Sequence, residues 1–219
     1  MPISLEKSHI LLVEGKDEVL FFEAFLKHLK IENAQIIEVC GKNNFKNAFP
    51  AFLNMDGFSE VVSYAIVRDA DNNADSTFTS IIDLLKRNNQ PVPKKHEGII
   101  GSNGVKVGIY IVPGDDKPGM LESLCLDSVS KHPIIECVNT YISCLESMID
   151  KDCIENKETK KYCFPGNLPK AKMHAFLAGQ NKFVPGLGIA ARKGYFDLNA
   201  QCFKKLRDFV CAICDTEVK

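Results

Sequence analysis

Two acidic groups in this chain follow two apolar runs. Glu14-Gly15-Lys16-Asp17-Glu18 comes directly after His9-Ile10-Leu11-Leu12-Val13, and Asp69-Ala70-Asp71 closes a run that begins at Val61 and reaches Val67. Carboxylates at the carboxyl ends of neighbouring parallel strands converge on one crevice, which is where open α/β sheets take their ligands. Such groups repel one another unless a cation lies between them, and an all-oxygen donor set suits Mg²⁺ or Mn²⁺. The chemistry this pattern points to is metal-dependent phosphoryl transfer. After Glu14, the missing Cβ of Gly15 allows a sharp backbone turn and a close approach to phosphate. Glu18 falls in the first turn of the helix that follows and can face the same crevice; its other reading is service to the helix dipole. In an extended strand end, side chains i and i+2 point the same way, so Asp69 and Asp71 can meet one cation. The competing reading makes Asp71-Asn72-Asn73 a polar turn with capping residues.

The elements that must hold these groups alternate. Strands are expected at residues 10–13, 35–39, 61–67 and 105–112, and helices at 16–30, 44–53 and 77–87. Residues 88–104, rich in Pro, Gly, Asn and Lys, read as a loop or hairpin. Alternating β and α signals with short connections predict a doubly wound, mainly parallel α/β sheet with right-handed crossovers. Helices then dominate, over 119–129, 133–149, 170–177 and 199–214, with a polar, Lys-rich link at 151–169. The expected division is an α/β domain over residues 1–125 and a helical extension over 126–219 packed on it.

An apolar strand closed by Glu-Gly, followed by a later apolar strand closed by Asp-x-Asp, resembles the Toprim domain. Glu14, Asp69 and Asp71 match that family's three acidic positions. Glu18 in Glu14-Gly15-Lys16-Asp17-Glu18 matches the second Glu of its overcoming-lysogenization-defect (OLD) nuclease branch, and small stand-alone Toprim-like bacterial proteins are similar too. The match spans roughly residues 8–125. Within Pro113-Gly114-Asp115-Asp116-Lys117-Pro118-Gly119-Met120-Leu121-Glu122, Glu122 resembles a late acidic ligand of that branch. The segment Leu168-Pro169-Lys170-Ala171-Lys172 resembles the one carrying its lysine near the scissile phosphate, with Lys170 and Lys172 both eligible. The resemblance implies a Mg²⁺- or Mn²⁺-dependent nuclease acting on DNA or RNA. Glu14, Glu18, Asp69, Asp71 and Glu122 would be the metal ligands, with Glu14 and one lysine in catalytic roles. Two ions about 3.5–4 Å apart could activate water and stabilise the leaving oxygen. Full-length nucleases of that branch carry an ATPase domain. This chain has no G-x-x-x-x-G-K-[ST] loop, so any ATPase that takes part is expected to be a separate protein.

Composition adds bounds. The 219 residues are 45% hydrophobic and 25% charged, as in ordinary soluble domains, and no apolar stretch reaches membrane-spanning length. The start lacks the basic-then-apolar layout of a signal peptide, so cytoplasmic residence is expected. Nine cysteines without such a signal argue against a disulfide framework, and Cys211-Ala212-Ile213-Cys214 reads as buried thiols rather than a zinc or redox motif, although Cys153 and Cys163 could in principle add ligands. Residues 1–150 carry 21 acids against 14 bases and residues 151–219 carry 7 against 13. An acidic front that gathers a cation and a basic back that meets phosphate would suit nucleic acid. Lys42, Lys94, Lys95, His96 and His174 are further candidates for contact or catalysis, each with an ordinary surface or core alternative; Arg68 is expected to pair with acids. A non-catalytic module that binds nucleic acid or a partner is the rival reading. A haloacid-dehalogenase-type phosphatase fits less well, because its D-x-D follows the first strand.

Overall fold

The computed structural model describes residues 4–41, 44–102, 104–148 and 164–216. Five strands form one sheet: β1 (His9–Val13), β2 (Ala34–Glu38), β3 (Ser63–Asp69), β4 (Ile99–Ser102) and β5 (Val105–Val112), in the order β2-β1-β3-β5-β4. All neighbours run parallel except β4, which forms an antiparallel hairpin with β5. Strand alternation sends Leu11, Val13, Ala65, Val67, Tyr110 and Val112 to one face, and Ile10, Leu12, Tyr64, Ile66, Val107 and Ile109 to the other. Both faces are buried, which is why these strands read as continuous apolar runs.

Helices α2 (Phe45–Leu53) and α3 (Ala74–Arg87) cover the second face with Phe45, Phe49, Phe52, Ile81 and Leu85. The first face is covered by α1 (Lys16–Leu29), α4 (Leu121–Ser128), α5 (Pro133–Met148), α6 (Leu168–Ala178), α7 (Leu187–Arg192) and α8 (Lys204–Ile213). There Phe21 and Phe25 of α1 meet Phe203, while Phe176 and Phe209 join the same core. The chain is thus an α/β fold with a doubly wound, mainly parallel sheet, and its described elements after β5 are helical. No described helix is long and apolar enough to cross a membrane.

From β1 the chain steps to β2 on one side, then crosses back to β3 on the other. That reversal opens the crevice between the carboxyl ends of β1 and β3, where ligands of such sheets bind. At the opposite end, the Ser63 hydroxyl donates to the Ile213 carbonyl (2.6 Å) and lies 2.7 Å from His9 Nδ1. Its one hydrogen is committed to that carbonyl, so its oxygen accepts from Nδ1–H.

Several expected boundaries move. β3 begins at Ser63, because residues 58–60 form a 3₁₀ turn and Val62 is exposed. The helix expected over 199–214 is a 3₁₀ turn at Gln201–Phe203 continued by α8. Asn167 and Pro169 start α6, the Asn167 side chain accepting from Lys170 N–H at 3.0 Å. Most of the expected link, including Cys153 and Cys163, lies outside the described residues.

Candidate metal centre

Glu14 leaves β1 directly into the crevice. The chain bends at Glu14 and Gly15 as expected, but Gly15, which precedes α1, does so with an ordinary extended backbone (φ −153°, ψ −174°) that any residue adopts. What glycine supplies is room: a Cβ at residue 15 would stand 3.2 Å from Glu18 Oε2, where the Glu18 carboxylate folds back over the helix start. Asp69 is the last residue of β3, and its Oδ1 accepts from the Leu121 backbone N–H at 3.0 Å. The first turns of α1 and α4, carrying Glu18 and Glu122, therefore flank the two strand ends. Glu14, Glu18, Arg68 and Asp69 line a cavity of about 10 Å³ floored by Phe22, Val67, Val112 and Leu121. That is roughly the room of one water-sized sphere.

The electrostatics follow from crowding. Burial pushes the Asp69 carboxyl well above the usual carboxylate range, and Glu14, Glu122 and Glu18 push it further, against the Leu121 N–H. Burial likewise raises Glu18, with Glu14, Glu122 and Asp17 adding to it. Other positive or donor groups already engage the acids. Arg68 Nε donates to Glu14 Oε1 at 3.1 Å, and Lys170 Nζ lies 3.9 Å from Glu122 Oε1. Among the described residues, no group of three or more His, Cys, Asp or Glu is disposed to hold a metal ion as it stands. In donor chemistry the set does fit a hard divalent cation: every candidate ligand is a carboxylate, and their mutual repulsion is what such an ion relieves.

Asp71 departs from expectation. It lies in the left-handed region (φ 49°), two residues past the end of β3 at Asp69, so the extended backbone that would align the two is not kept. Its backbone bridges to Gly119, whose N–H donates to the Asp71 carbonyl at 2.8 Å. Of the two lysines, Lys170 faces the acids, whereas Lys172 Nζ donates to Asn139 Oδ1 on α5 at 3.1 Å. His174 is exposed rather than seated in an apolar helix face, as are Lys94 and Lys95. His96 is enclosed between Asp75 and Asp116 with its ring on Phe78. Lys42 lies outside the described residues. Cys211 and Cys214 are buried, and burial pushes the Cys214 thiol up to about 12.

One participant was not legible: the Leu121 N–H has no side-chain signal at all. Arg68 pairs with an acid as expected, because a charge inside an apolar strand run requires a buried partner.

No curated protein matches the chain. Among solved structures, it is similar to the C-terminal region of the Burkholderia pseudomallei OLD protein, at 16% identity and TM-score 0.41, over 95% of this chain and 100% of that one. It is also similar to the C-terminal region of the Xanthomonas campestris pv. campestris OLD protein, at 13% identity and TM-score 0.38, over 87% of this chain and 95% of that one. A family model described as "Protein of unknown function (DUF3226)" matches residues 8–215, and the chain belongs to that family.

Proposed function

We propose that the crevice is the ion-binding centre of a metal-dependent, Toprim-type phosphodiesterase that cleaves nucleic acid. The supporting observation is the setting of Asp69, a partly buried carboxylate bonded to the Leu121 N–H and crowded by three others at the switch point of the sheet. Glu14, Glu18 and Asp69 would hold Mg²⁺ or Mn²⁺, with Asp71 and Glu122 as outer members of the set. When bound, such an ion supplies Lewis-acid polarisation of a phosphoryl oxygen and a water acidic enough to attack at neutral pH. Lys170 would meet negative charge developing on the phosphate, while Lys172, engaged by Asn139, would contribute less.

The non-catalytic reading draws on a specific observation, the Arg68 guanidinium already seated on Glu14. One experiment separates the two. Labelled single- and double-stranded DNA and RNA are incubated with the protein in Mg²⁺ or Mn²⁺, alongside Asp69→Asn. Cleavage should fall at least ~100-fold in the variant, the scale of losing a principal electrostatic contributor. Asn keeps an acceptor for Leu121 N–H and removes a crowded charge, so the variant should melt no lower than the wild type. Cleavage that persists in a folded Asp69→Asn protein overturns the assignment. Salt-sensitive binding without cleavage in either metal favours the module.

A further inference from the structure

The cavity between the acids already has a positive wall. Arg68 belongs to β3 and its side chain is 10% exposed, yet its neighbours along the strand, Val67 and Asp69, sit against the α1 and α4 side. Its own side chain lies on the α2 and α3 side. There its guanidinium carbon stands 5.0 Å from the centre of the Phe45 ring, and Nη1 donates to Ser80 Oγ at 3.3 Å. Only Nε reaches across to Glu14. A guanidinium keeps its charge at any physiological pH, so an ion entering this one-sphere cavity meets a fixed like charge at close range.

Resting on the metal-centre reading above, we infer that Arg68 is a resident counter-cation that competes with the divalent ion for Glu14. Without metal, it neutralises one of the crowded carboxylates and keeps the crevice closed around itself. As Glu14 turns to the ion, the guanidinium retains Phe45 and Ser80 as seats on the far side of the sheet. Arg68 is thus a positioning residue, and the exchange links occupancy of the crevice to the α2 and α3 layer.

The test is Mn²⁺ binding by the full chain, measured by titration calorimetry without substrate, for wild type and Arg68→Met. Removing the competing charge should tighten Mn²⁺ binding at least tenfold. Unchanged or weaker binding overturns the competition. If neither folded protein binds Mn²⁺, the metal reading itself falls and takes this inference with it. Thermal melts supply a second readout, should Arg68→Met be poorly folded in chelator. Its melting deficit relative to wild type should shrink in saturating Mn²⁺, because the ion replaces the lost charge. A deficit that is the same with and without Mn²⁺ overturns the proposal.

Discussion

A guanidinium cannot shed its proton, so Arg68, largely withdrawn from water, needs an anion beside it, and that anion is Glu14. Glu14→Gln leaves the Arg68 charge buried against a neutral amide. Breaking a buried pair from one side costs about 3 kcal/mol at the lower end of what such pairs show. The unfolding free energy from urea titration should fall by that amount, moving the midpoint lower, and Arg68→Met in the same chain should restore part of it. A midpoint unmoved by Glu14→Gln would show that Arg68 finds its compensation elsewhere. Activity lost on changing Glu14 therefore mixes chemistry with stability, whereas Asp69→Asn relieves crowding and is the cleaner probe. At this scale Glu14 and Asp69 were readable because acids that end apolar runs have no core to enter. For Asp71 only the premise of an extended backbone fails, because its positive φ, invisible in the residue types, breaks the strand's alternation.

The same crevice depends on how its elements pack, above all on α1, whose first turn carries Glu18. The partner of α1 is α7, six residues long and too short to show helical periodicity in the sequence. It docks through glycine: a Cβ at Gly188 would lie 2.5 Å from the Asp17 carbonyl and from Leu20 Cβ. Gly188 N–H in turn donates to Asp17 Oδ1 at 3.3 Å. Gly188→Ala should therefore force α7 off α1, with an overpacking cost of about 1–3 kcal/mol read as a lower thermal midpoint. Such a variant should also bind Mn²⁺ more weakly, since Asp17 and Glu18 share one turn. An unchanged midpoint would mean that α7 adjusts freely. By contrast, β1, β5 and α1 were legible nearly to the residue, because strands buried on both faces show as continuous apolar runs and an amphipathic helix shows its period in local chemistry. The pairing of α7 depends on contacts 171 residues apart, which no local pattern encodes.

Across the whole molecule, the uneven charge of the two halves is used in part within the fold. Arg192 pairs with Glu23, Lys205 with Glu97 and Asp115, Lys170 with Glu122, and Lys106 with Asp215. Bases and acids from opposite halves meet one another, so the acidic-front, basic-back pattern describes internal complementarity as well as any surface for phosphate. The last of these pairs lies near the amino end of the sheet, where His9 and Ser63 hold the end of α8 through the Ile213 carbonyl. Burial lowers the His9 pKa from 6.5, Lys106 adds to this, and Asp215 and the Ile213 carbonyl oppose it. The folded chain thus binds fewer protons at this site than the unfolded chain does. Its contribution to stability is greatest above pH 6.5, declines as pH falls through that value, and stops declining once the folded His9 is itself protonated. His9→Asn keeps a donor for the Ser63 oxygen and removes the titration. The difference in unfolding free energy between wild type and His9→Asn, measured from pH 7.5 downward, should therefore narrow or reverse against the wild type on acidification. Parallel curves would assign the acid sensitivity to other groups. The proposed metal centre lies at the opposite, carboxyl end of the strands, so if Mn²⁺ binds there it should raise both curves without changing the gap between them, separating the two ends of the molecule by experiment.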